Sequence, residues 1–214
     1  MNVLRIVLLL LAVMPITTVA DVDKQTLDKI YQLDIKLTEE DLLVKVQGYP
    51  VPTYDAFHGW LIINDVEDRY DEITAFFAKQ GVEKVIPIYL AMLQGTSWEM
   101  KGTSVFTFPE VDQWQSMANT LIFLQQEIVP IIGDVIPVSG DRSDEYNRLA
   151  GGAGQSKHMQ FCALDMVPVK SYSREELMSK LKEIHSKVGQ KYQVGLGIYG
   201  GIRFHIDTCG FRQW

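Results

Sequence analysis

Apolar residues recur at helical spacing in four stretches of the chain, and each stretch is bounded by residues that start or stop a helix. The stretches 65–81, 87–94 and 110–128 begin with an acidic residue or a proline, while the fourth follows Ser173 and stops at Gly189. Each is therefore predicted to be a helix with one buried face. The residues predicted to line those faces are Tyr70, Ile73, Phe76, Phe77, Trp114, Met117, Leu121, Leu124, Leu177, Leu181, Ile184 and Val188.

Shorter apolar runs in the second half of the chain predict strands. The runs are 135–138, 162–169, 192–199 and 202–208, and a Gly-Gly pair separates the last two as a hairpin turn would. Between the first two runs lies a polar, glycine-rich stretch, 140–153, which predicts a long loop or a short helix. Strands grouped near one end of the chain and helices before them predict an α+β fold, with a small antiparallel sheet and helices packed on it.

The first twenty residues differ in pattern from the rest. Arg5 precedes a short apolar run, and small residues lead up to Ala20, which is the layout of a secretory signal peptide. The run is about half of the ~20 apolar residues that a membrane span needs, so an uncleaved anchor is the weaker alternative. We expect a signal peptide at 1–20, an arm or connector at 21–56 and one domain at 57–214. Within that domain, 57–102 would be helical support and 103–214 the functional core.

Charge and composition restrict the partners. The formal net charge is -7, with 47% apolar and 22% charged residues, as in a soluble globular protein. An acidic chain is a poor partner for nucleic acid, because binding to phosphates requires a basic surface. After signal cleavage no transmembrane segment is expected. The signal peptide predicts export, to the periplasm, cell wall or medium, and the chain is predicted to be a monomer.

The candidate chemistry lies in His158, Asp165 and His205. Two histidines and one carboxylate, without a thiolate, are the ligands of a hydrolytic zinc ion that keeps an open position for water. His158 and Asp165 are separated by an odd number of residues, so one continuous strand cannot direct both to one point. His158 is therefore expected in the loop before the strand and Asp165 within it. His185 is better explained as a helix C-terminal residue.

Several sequence motifs in the second half of the chain resemble a known family. They are Ser156-x-His158 with Asp165, His205-x-Asp207, the segment 138–147 containing Ser139-Gly140-Asp141-Arg142, the glycine-rich 151–153, and the C-terminal 210–214. In this order they resemble the zinc D-alanyl-D-alanine carboxypeptidases, in the superfamily named after lysostaphin, those peptidases and hedgehog. The resemblance extends over about half of the chain, from roughly 103 to 214.

The resemblance implies one zinc ion, a hedgehog-like peptidase fold and a substrate in peptidoglycan stem peptides. It also implies that Arg142 lies by the metal and contacts substrate. A zinc-activated water would attack the peptide carbonyl, and the product would distinguish a D-Ala-D-Ala carboxypeptidase from a murein endopeptidase. A non-catalytic wall- or peptide-binding protein with the same zinc fold is the alternative. A metal-free structural domain is a third.

Strand alternation adds two candidates beside His205. Arg203 and Asp207 should share its face, so Arg203 is predicted to hold a carboxylate or steady the oxyanion. Asp207 is predicted to be the general base, with orientation of a ligand histidine as the alternative. The family's dipeptidase branch has a glutamate where this chain has Ile202. Its usual glycine is replaced by Phe161, whose ring is expected to narrow or reshape the cleft.

Cys162 and Cys209 are the only cysteines. Export would permit a disulfide between them. Counted along continuous strands from Asp165 and His205, however, the two side chains should face opposite ways. Unless a bulge or turn intervenes, two free thiols are predicted.

Overall fold

The computed structural model describes residues 22–31 and 42–214, so the predicted signal peptide lies outside the described residues. The helices are α1 (Lys24–Tyr31), α2 (Tyr54–Asn64), α3 (Glu67–Lys79), α4 (Trp98–Lys101), α5 (Trp114–Phe123), α6 (Val129–Ile132), α7 (Asp144–Leu149) and α8 (Arg174–Val188). The strands are β1 (Leu43–Val46), β2 (Tyr49–Pro52), β3 (Val135–Ser139), β4 (Ala163–Pro168), β5 (Gly195–Ile198), β6 (Phe204–Asp207) and β7 (Arg212–Gln213). No helix in these ranges is long and apolar enough to cross a membrane.

The N-terminal part contains a β-hairpin between α1 and α2. Strands β1 and β2 pair antiparallel through a turn at Gln47 and Gly48, both at positive φ, and they lie within the stretch 21–56 that is predicted to be an arm or connector. The amide of Gln47 donates to the Pro168 carbonyl at 3.3 Å, which fastens the hairpin to the end of β4. Prolines are tolerated in β2 because an edge strand need not donate every N–H.

The predicted helix at 65–81 is present as α3, but its start was misplaced. Asp65 adopts the left-handed conformation (φ 55°) that closes α2, and α3 begins two residues later at Glu67. An aspartate before an apolar repeat suggests an N-cap, yet aspartate also tolerates the left-handed conformation of a C-cap. The short helix predicted at 87–94 is a 3₁₀ helix, Ile88–Met92.

An aromatic cluster joins these elements. Phe57 of α2 is fully buried, and its ring centroid lies 4.8 Å from that of Tyr70, 4.9 Å from Phe106 and 5.4 Å from Tyr89. Edge-to-face and tilted rings at these separations attract one another beyond the effect of burial alone. The cluster packs α2, α3 and the 3₁₀ helix together through aromatic rings and contains no carboxylate, imidazole or amino group.

The long helix predicted at 110–128 is confirmed in outline. It starts as a 3₁₀ turn (Val111–Gln113), continues as α5 and passes through a π-helical turn (Leu124–Ile128) into α6. Its predicted apolar face is buried. Helix α8 also begins and ends as predicted, because the Ser173 hydroxyl accepts from the Glu176 N–H at its start.

The second half of the chain is built on a five-stranded sheet in the order β3-β4-β6-β5-β7. All neighbours are antiparallel except β5 and β7, which run parallel. The α+β class, with a small, mainly antiparallel sheet and helices packed on it, is therefore confirmed. In the register of the two central strands, Asp165 of β4 lies directly opposite His205 of β6.

The expectation of two free thiols was wrong, because Cys162 and Cys209 form a disulfide. The predicted strands were too long at the relevant ends. Cys162 precedes β4, directly after Phe161 in a left-handed conformation (φ 45°), and Cys209 follows the end of β6. Alternation along a strand does not govern either side chain, so the bridge closes one end of the β4–β6 pair.

Candidate metal centre

The histidines and the carboxylate predicted as ligands come from three elements that meet in the sheet. His158 lies in a 3₁₀ turn (Lys157–Gln160), Asp165 in the middle of β4 and His205 opposite it on β6. One ligand atom from each of the three lies within 4.8 Å of the others, and all three residues are buried. Directly opposite residues of an antiparallel pair project side by side from one face, and the turn before β4 supplies the third group.

His158 presents a bare nitrogen to this point. Its Nδ1 lies 2.7 Å from the Gly140 carbonyl oxygen, which can only accept, so Nδ1 carries the proton. Its Nε2 lies 3.3 Å from Asp165 Oδ1 but forms no hydrogen bond within the described part of the chain. Burial lowers the pKa of His158, and the nearby Arg142 cation lowers it further, while Asp165 raises it. The net effect is a lowered pKa, which favours the neutral imidazole. The lone pair of His158 Nε2 is therefore buried and accepts no hydrogen bond, so it is free to coordinate a metal ion.

His205 is held from both sides by carboxylates. Its Nδ1 lies 2.9 Å from Asp165 Oδ1, and its Nε2 lies 2.9 Å from Asp207 Oδ2. Burial alone would lower its pKa, but the two carboxylates outweigh that effect and raise it. A metal at Nδ1 would take the place of the proton shared with Asp165, while the bond to Asp207 fixes the ring.

Asp207 lies behind His205, on the side away from the three converging ligand atoms. It is fully buried and accepts from the Cys209 N–H (2.9 Å) and from Arg212, whose Nη2 lies 2.6 Å from Oδ2. Burial would raise its pKa, but His205 and Arg212 lower it, so the carboxylate is ionised. Gly195 makes room for this group, since a Cβ there would collide with Asp207 Oδ2.

Asp165 is the centre of the constellation. Burial acts to raise its pKa, but His158 and His205 hold that pKa well below its usual range. Its Oδ2 accepts from Arg142 Nη2 at 3.1 Å, and its Oδ1 accepts from the Tyr199 hydroxyl at 3.1 Å. Burial and the nearby Asp165 charge raise the pKa of Tyr199 well above its usual value, so the phenol stays a donor.

The two predicted arginines have different surroundings. Arg142 is bound in place: its Nε donates to Ser139 Oγ (2.9 Å) and to the Gln94 carbonyl (3.3 Å), besides the contact with Asp165. It therefore lies by the site, as the resemblance implied. Arg203 lies one residue before β6, so alternation along that strand does not extend to it. Its guanidinium carbon is 4.4 Å from the centroid of the Tyr199 ring.

The ring of Phe161 does not narrow the cleft, contrary to expectation. It is fully buried in the hydrophobic core, and its centroid lies 6.4 Å from that of Phe77 in α3. The left-handed backbone at this position, which glycine adopts easily, turns the side chain into the core. His185 is also a packing residue, with its ring stacked on Phe211 at 4.7 Å and Nε2 at 3.0 Å from the Val194 carbonyl.

Sequence reasoning missed three groups that complete the site: Tyr199, Arg212 and the Gly140 carbonyl. Tyr199 follows β5 directly before the Gly-Gly turn, where an aromatic residue was taken as part of the strand. Arg212 lies within the C-terminal motif of the resemblance, but nothing in its spacing indicated Asp207 as its partner. A backbone carbonyl has no sequence signal at all.

The residues present fit a zinc ion. They provide two imidazole nitrogens and a carboxylate oxygen, the ligand set of catalytic zinc sites. Each histidine has its second nitrogen fixed by an oxygen, Gly140 O for His158 and Asp207 for His205, which is the usual outer arrangement of zinc-binding histidines.

One comparison with known proteins gave a match. Residues 110–206 match the family model described as Peptidase M15. The matched segment contains His158, Asp165 and His205, and it ends one residue before Asp207. No curated protein and no solved structure matches the chain.

Proposed function

Because residues 110–206 match the Peptidase M15 family model, we propose that the protein is a zinc-dependent peptidase that hydrolyses peptide bonds in peptidoglycan stem peptides. The observation that carries the proposal is the buried Nε2 of His158, which has no hydrogen-bond partner in the described residues and points at Asp165 and His205. An apolar or purely structural site would leave this nitrogen unsatisfied, at a cost of about 1–3 kcal/mol.

His158 Nε2, Asp165 Oδ1 and His205 Nδ1 would hold the ion. Bound zinc supplies the activation of a water molecule near neutral pH and the polarisation of a carbonyl oxygen. The protein contributes the orientation of the ligands: Gly140 fixes one imidazole, Asp207 fixes the other, and Arg142 holds the second oxygen of Asp165.

The assignment of Asp207 as general base stays a prediction, and its surroundings favour the orienting alternative. It contacts the far nitrogen of His205 and is neutralised by Arg212, so the imidazole ring separates it from a ligand at Nδ1. Besides His205, the hydroxyl of Tyr199 and the guanidinium of Arg142 donate to Asp165. Both can stabilise negative charge that develops on a peptide oxygen.

Export supports the choice of substrate. The predicted signal peptide would bring the chain to the compartment that contains peptidoglycan, and the Cys162–Cys209 disulfide suits an oxidising environment. Stem peptides contain D-amino acids, which ordinary proteases do not accept, so a dedicated peptidase is needed there.

The test combines zinc content with product analysis. Purified protein should contain one zinc per chain by elemental mass spectrometry and should release new termini from isolated muropeptides. Release of free D-alanine would identify a carboxypeptidase, and shortened cross-links an endopeptidase. His158→Ala should lose both zinc and hydrolysis, whereas His58→Ala, which removes a partly exposed ring stacked on Tyr54, should keep both. Full hydrolysis by His158→Ala would refute the proposal.

A non-catalytic peptide-binding protein is the second candidate. Two observations favour it: Ile202 stands where one branch of the resembled family has glutamate, and Asp207 is fully engaged with His205, Arg212 and the Cys209 N–H. For this candidate, zinc would be bound and stem peptides would bind in a calorimeter, yet no new amine termini would form over prolonged incubation.

A further inference from the structure

Arg203 lies between two aromatic rings that come from different parts of the chain. Its guanidinium carbon is 4.4 Å from the centroid of Tyr199, in the β5–β6 turn, and 6.0 Å from that of Tyr49, the first residue of β2. Both distances are within the range in which a cation is attracted to an aromatic face. We call these three residues the Arg203 clamp.

The charge of Arg203 has no anionic partner, unlike the other two arginines near the site. Arg142 is paired with Asp165, and Arg212 with Asp207. Across residues 22–31 and 42–214, by contrast, the side chain of Arg203 forms no ion pair or hydrogen bond, and its Nε is buried without a partner. Withdrawing the Nε donor of a cation from water without replacing its hydrogen bond is costly, so the clamp favours an anion that would restore that bond.

The clamp is adjacent to the proposed zinc ligands. The same Tyr199 whose ring lies on Arg203 places its hydroxyl 3.1 Å from Asp165 Oδ1. Arg203 also precedes His205 by two residues on the same chain segment. A group bound by the guanidinium would therefore belong to the same ligand as a peptide bond at the zinc site.

The N-terminal hairpin forms the outer wall of the clamp. Tyr49 lies outside the segment that matches the peptidase family. The hairpin is fixed to the sheet by Gln47, whose amide lies 3.3 Å from the Pro168 carbonyl. Tyr49 is thus held against Arg203 by a contact to the strand that carries Asp165.

We propose that the Arg203 clamp binds a carboxylate of the peptide substrate, with Tyr49 and Tyr199 holding the guanidinium in place. A guanidinium presents parallel N–H donors that match both oxygens of a carboxylate, and stacking on rings limits its rotation. The substrate class rests on the proposed function. In a stem peptide the carboxylate has two sources: the free C-terminus, or the α-carboxylate of a γ-linked D-glutamate.

The experiment uses three synthetic stem pentapeptides with the zinc-loaded full chain. One peptide has both carboxylates, one has the C-terminus as an amide, and one has the D-glutamate α-carboxylate as an amide. Wild type should lose about tenfold to hundredfold in kcat/KM on one of the two amides, mainly through KM, since a hydrogen bond to a charged group is of that strength. Arg203→Gln should lose the same factor on the unmodified peptide and no longer discriminate against that amide. The sensitive amide identifies which carboxylate is bound.

Binding without turnover provides an independent readout. In metal-free protein, calorimetry with the unmodified pentapeptide should show the same loss of affinity in Arg203→Gln and a smaller one in Tyr49→Leu, with Arg203→Lys between wild type and Arg203→Gln. The matched control is Arg69→Gln, which removes another arginine that lies over a ring, Phe108 at 4.8 Å. Arg69 also donates to the Pro109 carbonyl, and neither contact involves a residue of the site. It should bind and turn over the peptide as wild type does.

The outcomes separate this inference from the proposed function. Hydrolysis by wild type with no dependence on Arg203 for any peptide would overturn the clamp and leave the peptidase standing. Arg203-dependent binding without hydrolysis by the zinc-loaded protein would support the clamp and refute the peptidase. Equal binding of all three peptides by wild type would also overturn the clamp.

Discussion

The two halves of this molecule bury different kinds of residue. In the described residues before 110, the buried side chains are nearly all apolar or aromatic, and Thr53 and Gln94 are the polar exceptions. All buried carboxylates and imidazoles of the described residues lie from 110 onward. They are Asp141, His158, Asp165, His185, His205 and Asp207.

The difference teaches how a stabilising region and a reactive region can be distinguished. Burying a ring stabilises the fold directly, at roughly 25 cal/mol per Å² of apolar area. Burying a carboxylate or an imidazole costs free energy unless partners are brought to it, here from strands, turns and backbone carbonyls. Such a concentration of buried polar groups within one half of the chain is typical of a functional site. Four substitutions test this comparison.

The largest effect is expected from Asp165→Ala. It removes the central carboxylate and leaves His158 and His205 without their common partner. Loss of a residue that only orients a ligand lowers metal affinity by about 10- to 100-fold. Loss of Asp165, a proposed ligand, should lower zinc affinity by more than this, and hydrolysis should become undetectable. Zinc competition with a chelator measures the first. Asp134→Ala, an exposed carboxylate before β3, is the control, and stoichiometric zinc in Asp165→Ala would contradict the proposed ligand set.

Phe57→Ala tests the other half. Removing a fully buried ring from the aromatic cluster should lower the free energy of unfolding by about 3–5 kcal/mol. The zinc affinity of the remaining folded protein should not change, because no ring of the cluster touches the site. Denaturant unfolding and the same chelator competition measure both quantities. Ile63→Ala, at an exposed position, should change stability by at most about 0.5 kcal/mol; a loss of zinc affinity in Phe57→Ala would show that the two halves are coupled.

Asp207→Asn distinguishes the two roles of that residue. If Asp207 orients His205, the substitution should lower zinc affinity by about 10- to 100-fold, with a matching loss of activity at limiting zinc. As a general base, it would instead lower kcat at saturating zinc while zinc affinity stays the same. We expect the first result. The second would restore the prediction made from the sequence.

Asp141→Asn should have the smallest effect, and its sign depends on pH. Burial, together with the more distant Glu110, raises the pKa of Asp141 from 3.8 to about 7. Between these pH values the folded protein binds the proton of Asp141 more tightly than the unfolded chain does. The free energy of unfolding therefore falls as the pH rises through that window. The variant should be more stable than wild type at pH 8 by on the order of 1 kcal/mol, since the buried amide has its own cost. The difference should shrink toward pH 5, as followed by urea unfolding; an equal difference at both pH values would contradict the role of burial.

The sequence was sufficient for the fold class and for the three converging residues. Helical spacing located α3, α5 and α8 because their inner faces are apolar, although Asp65 misplaced the start of α3. The odd separation of His158 and Asp165 correctly placed one in a turn and the other in β4.

What the sequence could not predict depends on contacts between distant segments. The disulfide was missed because β4 begins after Cys162 and β6 ends before Cys209, so both cysteines lie outside the strands. The neutralisation of Asp207 by Arg212 and the contact of Tyr199 with Asp165 arise from strand order, which no local pattern encodes. The domain limits at 20 and 56, the export and the monomeric state stay predictions.

The conformation of Phe161 has a practical consequence. A left-handed backbone costs a non-glycine residue roughly 1–2 kcal/mol, but burying a phenylalanine ring returns about 1.5–3 kcal/mol. The Phe161 ring is buried together with Phe77 of α3. A chain shortened to residues 110–206 would therefore expose this large apolar side chain to water, directly beside the turn that carries His158. The shortest fragment worth expressing must therefore include the helices before residue 110.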